Sequence, residues 1–188
     1  MTPIERMRAI FERVMEWIVV VLVAALTLLV IAGAAFRYAG HALDWYDEVA
    51  EVGLVWLTYY GAALAALRGA HIGVPGLVNA LPPRARVALA VVAEGFVFLF
   101  FGVLAVTGLQ VLSVLRGDHL VSLPEVPLTL TQSVIPIGAV LFMLAEAFRL
   151  PQVLRDAATG GFADIEIKEA LEHAEQTADP AHAQGERP

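Results

Sequence analysis

Four long apolar blocks, separated by short polar stretches, organise the chain. The first runs from about Trp17 to Phe36 without a charge, and about 20 residues is what a bilayer's hydrocarbon core requires. The second spans about 48–67, although its uninterrupted apolar part begins only at Val52. The third, 87–115, would reach roughly 43 Å as a helix, so it must tilt or emerge from the core. The fourth, 128–148, opens with Thr129, Thr131, Gln132 and Ser133, and Pro136 follows. That opening suits a helix packed against protein, where neighbours satisfy freed backbone groups. Ahead of the first block, Ile4, Met7, Phe11 and Val14 recur at helical spacing, with Glu5, Arg6, Arg8, Glu12, Arg13 and Glu16 between them. Two readings fit this segment: an amphipathic helix lying at the interface, or a charged extension of the first span. The pattern predicts an all-α polytopic membrane protein with four transmembrane helices and an N-terminal amphipathic helix. Residues 1–155 form the membrane domain, and 156–188 an acidic, flexible tail.

Composition strengthens this picture. The 188 residues are 59% hydrophobic and 16% charged, against about 45–50% apolar in soluble domains. A cleaved signal peptide is the competing reading of the first block, but a signal core is only about 7–15 residues long and further apolar blocks follow. With no cysteine, disulfides, thiolate metal sites and cysteine nucleophiles are excluded. The net charge of -7 belongs to the tail, where eight acids face only Lys168 and Arg187. Nothing suggests a nucleic-acid surface. The loops fix orientation. Arg6, Arg8 and Arg13 precede span one, Arg68, Arg84 and Arg86 follow span two, and Arg149 and Arg155 follow span four. The other two loops carry only Arg37 and Arg116, so the positive-inside bias puts both termini in the cytoplasm. Trp45 and Tyr46 then lie at the outer interface.

Buried polar groups are the best route to function in such a chain. Asp44, Asp47, Glu48 and Glu51 surround Trp45 at a helix start. They read either as acids favoured by the helix dipole or as a docking surface facing the periplasm. Gly61, Ala62, Ala65 and Ala66 make a small-residue face that lets another helix approach closely. Arg68 and His71, with Gly69 and Gly73, close span two; they serve as positive-inside anchors or hold a lipid phosphate or a partner carboxylate. Glu94 stands about 12 Å inside the third block with no basic residue one turn away, so its partner is expected on another helix or subunit. Glu146, by contrast, has Arg149 one turn on. The histidines fall at helix ends, in loops or in the tail, which counts against a haem bundle. No phosphate loop or catalytic constellation can be placed. The expectation is a non-enzyme without cofactor or metal.

The order of motifs resembles the small membrane subunit, DctQ type, of tripartite ATP-independent periplasmic (TRAP) transporters. Phe36-Arg37-Tyr38 closes span one, and Trp45-Tyr46-Asp47-Glu48 is similar to the family's Trp-x-acid-acid signature. Asp47 stands where Glu is commoner, which keeps the charge and shortens the reach. Trp56, Gly61-Ala62-Ala63, Arg68, His71-Ile72-Gly73-Val74, Leu81-Pro82-Pro83-Arg84 and Ile135-Pro136-Ile137-Gly138 follow in order. The resemblance covers roughly 10–155, its informative motifs lie within 36–86, and the acidic tail is outside it. It implies a helper subunit that scaffolds a large membrane subunit, which carries substrate and ions. A secreted periplasmic solute-binding protein would dock transiently. An ion gradient, usually sodium, would drive uptake of organic acids in the bacterial inner membrane. Trp45, Asp47 and Glu48 would lie on or beside the docking surface, and Gly61, Ala65 and Glu94 would face other transmembrane helices. Two other readings stay open: an autonomous four-helix transporter or exporter in which Glu94 couples proton movement, and a redox membrane anchor.

Overall fold

The computed structural model describes residues 3–69 and 78–159. Helix α1 (Pro3–Tyr38) starts on a proline, whose missing N–H is harmless in a first turn. The charged N-terminal segment is helical and continuous with span one, with no break between them. Helix α2 (Tyr46–Arg68) ends where Gly69 turns left-handed at φ 75 and its N–H caps the carbonyls of Ala65 and Ala66. Helix α3 (Pro83–Val114) again begins on a proline. A short α4 (Leu128–Gln132) leads through Ser133 into α5 (Val134–Thr159). Pro136 falls in the first turn of α5, where no intrahelical donor is lost. Four helical stretches, Glu5–Tyr38, Tyr46–Arg68, Pro83–Val114 and Leu128–Thr159, are long and apolar enough to cross a membrane. The chain is thus an all-α, multi-pass membrane protein. The His71–Val74 motif and the chain from residue 160 onward lie outside the described residues.

Contacts divide the chain into two units. The first comprises Met1–His71 and Ala93–Pro151. Its core joins Ala63, Ala66 and Leu67 of α2 to Phe142 and Ala145 of α5. The Phe101 and Phe142 rings stack at 3.9 Å, and Phe11 meets Phe148 at 5.9 Å. Small residues make this closeness possible. A Cβ added to Gly138 would come within 2.7 Å of Tyr59. Thr27, Thr58 and Thr107 each donate to a carbonyl one turn back at 2.8 Å, which satisfies their hydroxyls without water. The apolar window of α5 is the most buried of the four, and those of α1 and α3 the least. Phe96, Leu99, Phe100 and Val103 of α3 all point outward. Such faces are the rule against lipid or a second membrane protein.

The second unit comprises Ile72–Val92 and Gln152–Pro188. Within it Val153 and Ala157 pack on Val87 and Ala90. This packing explains why α5 runs on to Thr159, past the 148 boundary read from hydropathy. A proline inside a helix costs about 3 kcal/mol. Pro151 sits inside α5 all the same, because the turns after it bury Val153 and Ala157.

Candidate functional site

The polar chemistry of the first unit collects at the two ends of α2. At its C-terminal end the last carbonyls run short of backbone donors, and arginines from two other helices add to the Gly69 cap. Arg8 of α1 donates to the Leu67 carbonyl at 3.3 Å, and Arg149 of α5 to that of Ala66 at 3.4 Å. Arg149 also lies 3.7 Å from Glu146, whose side chain is 3% exposed. Arg68 turns the other way, onto α1. Its guanidinium pairs with Glu12 at 3.1 Å and with Glu16. Glu12 and Glu16 are four residues apart, so they share the helix face that meets Arg68. Of the residues singled out for this end, Arg68 ties α2 to α1, while Arg8 and Arg149 fasten α1 and α5 to the end of α2.

The opposite end is held by a different device. Glu48, in the first turn of α2, accepts hydrogen bonds from the backbone N–H of Val121 at 3.0 Å and of Ser122 at 2.8 Å. The Ser122 hydroxyl donates to the same carboxylate. The loop it grips closes on itself, with Leu120 N–H to Val126 carbonyl at 3.0 Å and Leu128 N–H to Asp118 carbonyl at 2.9 Å. Farther along α2, the Trp56 indole donates to the Thr131 carbonyl at 2.9 Å. Arg37 reaches Asp47 across the α1–α2 turn at 3.7 Å, both side chains well exposed. Glu48 and Arg68 are separated by 20 positions, about 30 Å of helix, the thickness of a hydrocarbon core. The two fastenings thus stand one bilayer core apart. The N-terminal part of α1, the end of α2 and the Arg149 region of α5 share one side.

A family model described as "Tripartite ATP-independent periplasmic transporters, DctQ component" matches residues 26–156. The chain belongs to this family. It is 30% identical over 115 residues to the C4-dicarboxylate TRAP transporter small permease protein DctQ of Rhodobacter capsulatus, covering 61% of this chain and 49% of that protein. A protein of Haemophilus influenzae described as a TRAP transporter small permease is 26% identical over 84 residues, covering 44% of this chain and 52% of its own length. The chain thus spans about half the length of the curated relatives it matches. Membership agrees with the four apolar helices and makes the chain a multi-pass inner-membrane protein, a component of a transport system.

Against that family background, the candidate residues divide. In this DctQ-family chain the acids near Trp45 do not act as one cluster. Asp44 and Glu51 are exposed, Asp47 pairs with Arg37, and Glu48 grips the 121–122 loop. Trp45 is half-buried just before α2. The small-residue face also splits. Ala62, Ala63 and Ala66 belong to the chain's own core, whereas a Cβ on Gly61 would meet nothing within 4 Å. Ala65 is half-buried. Arg68 has this chain's own Glu12 and Glu16 as its carboxylates. Glu94 is half-buried on α3, and His71 lies outside the described residues. Among the described residues, no three His, Asp or Glu side chains are grouped to hold a metal. Sequence reasoning missed Ser122, whose amide and hydroxyl carry no pattern. It also missed Glu12 and Glu16, whose spacing opposite Arg68 was a usable signal.

Proposed function

We propose that this chain is the small permease subunit of a TRAP-type secondary transporter. It scaffolds the large membrane subunit and helps present a periplasmic surface to the solute-binding protein. The transported solutes are organic acids, in keeping with the C4-dicarboxylate transporter named for one relative. Both termini face the cytoplasm, so the Arg8–Arg68–Arg149 end of α2 is inside and the Glu48 end outside. On this reading the chain has no catalytic role. The observation that carries the proposal is the family match over 26–156, which takes in most of the four apolar helices.

The fastenings give each candidate residue a role. Glu48 acts on docking by fixing the 118–128 loop, while Trp45 and Asp47 touch or border the binding protein. Gly61, open beyond its own Cα, admits a helix of the large subunit. Glu94 and Ala65 belong to the same membrane-buried contact. Binding-protein affinity of the reconstituted transporter tests the outer surface. Asp47→Lys and Trp45→Ala weaken it while the helical content of the chain is unchanged. Unaltered affinity in both variants removes these residues from the docking surface. Glu94→Gln lowers the yield of assembled transporter; full assembly and full uptake would take Glu94 out of the contact.

A further inference from the structure

The first four turns of α1 carry two different faces. The inner one holds Phe11 and Met15 in the unit's packing and gives Arg8, Glu12 and Glu16 their partners on α2. The outer one exposes Met7, Ile10, Val14 and Trp17, at 55%, 59%, 48% and 67%. These positions step by three, four and three residues, so they form one stripe. Arg6 and Arg13, seven residues apart, are exposed along its edge. Neither forms an ion pair among the described residues, whereas Arg8, Arg68 and Arg149 are all bound internally.

We propose that this outer stripe is an anionic-lipid contact, with Arg6 and Arg13 on lipid phosphates, Met7 and Ile10 at headgroup depth, and Val14 and Trp17 among the upper acyl chains. Three observations select lipid as the occupant. The stripe is continuous with the outward residues Val20, Val21, Leu28 and Ile31 of the span itself. Its edge is purely cationic, which complements an acidic headgroup layer. Its length also fits. Met7 to Tyr38 is about 46 Å of helix, and the ordinary tilt of about 20° brings it to about 44 Å, within the roughly 40–45 Å between outer headgroup planes. The anionic character of the lipid rests on the cytoplasmic placement of the N-terminal side proposed above, because the cytoplasmic leaflet is the acidic one.

The chain has no cysteine, so Ile10→Cys gives a single labelling site for an environment-sensitive fluorophore. The labelled full chain is reconstituted in phosphatidylcholine vesicles with and without phosphatidylglycerol. Headgroup-labelled lipid should quench the probe, and phosphatidylglycerol should be enriched around it. Arg6→Gln and Arg13→Gln should each lower that enrichment about fivefold, and salt should do the same. Quenching absent at Ile10, or enrichment unchanged in both variants, overturns the proposal. So does shielding of Ile10 that appears only with the large subunit present, which would make the occupant a protein. Labelling of Ile10→Cys in whole cells by an impermeant thiol reagent reads the topology separately. A quenched probe that is reachable from the periplasm would refute the orientation and leave the lipid contact standing.

Discussion

The approach of α5 to α2 over Gly138 gives the sharpest stability prediction. A methyl group placed there would lie 2.7 Å from Tyr59 Cδ1, 2.8 Å from its Cβ and 3.0 Å from its Cγ. The Cβ is anchored to the α2 backbone, so the tyrosine cannot simply swing aside. Overpacking of this kind costs about 1–3 kcal/mol. Glycine-to-alanine changes in a helix also gain roughly 0.5–1 kcal/mol of propensity, which blurs the comparison with wild type. Gly61→Ala removes that ambiguity. It makes the same change in a helix with nothing within 4 Å of the new methyl. The difference between Gly138→Ala and Gly61→Ala therefore isolates the clash, about 1–3 kcal/mol, or roughly 5- to 150-fold in the unfolding constant. Unfolding of the purified chain in mixed micelles measures it. Gly138→Ala should be the less stable of the two, and trimming Tyr59 to alanine in the same chain should recover only part of the loss, because the Cβ that remains still lies 2.8 Å from the new methyl. Equal stabilities for the two alanine variants would refute the packing described for α2 and α5.

Two further outcomes follow from the polar fastenings and a third from the open glycine on α2. Glu48→Ala should speed hydrogen exchange at the Val121 and Ser122 amides while the α5 amides keep their protection; unchanged exchange at both would show that the carboxylate does not hold the loop. Replacing Glu12 and Glu16 by glutamine should cost little, about 0.2–1 kcal/mol per pair because Arg68 is partly exposed, and the loss should shrink in high salt. A salt-independent loss would point to packing. Gly61→Leu should be tolerated by the isolated chain yet reduce its recovery with the large subunit; normal recovery would mean that α2 offers no partner face there.

Much of the fold could be read from hydropathy because lipid imposes a simple rule. A segment that crosses the core must be helical and apolar for about 20 residues. That rule found all four spans, although α3 starts at Pro83, four residues before the boundary at 87. It fails at helix ends, where water and tertiary packing decide. The continuation of α5 beyond Pro151 depends on Val153 and Ala157 meeting Val87 and Ala90, a long-range contact that no local window contains. The same limit applies to the side chains. Arg68 was recognisable as an anchoring cation, but its partners lie over 50 residues away on α1. Glu48 read as one of four similar acids, and only the loop brought beside it separates it from Asp44 and Glu51. Glycines behave likewise. Gly61 and Gly138 look alike in sequence, yet one is open and the other is pressed against Tyr59.

On the function proposed above, the four helices form a packing surface for a larger membrane partner and do not transport alone. Recovery of the affinity-tagged chain from detergent-solubilised native membranes tests this directly. A large polytopic TRAP subunit should elute with it in equal amount, and the chain by itself should support no uptake in vesicles. Elution of the chain without that subunit, together with gradient-driven transport by the chain alone, would contradict it.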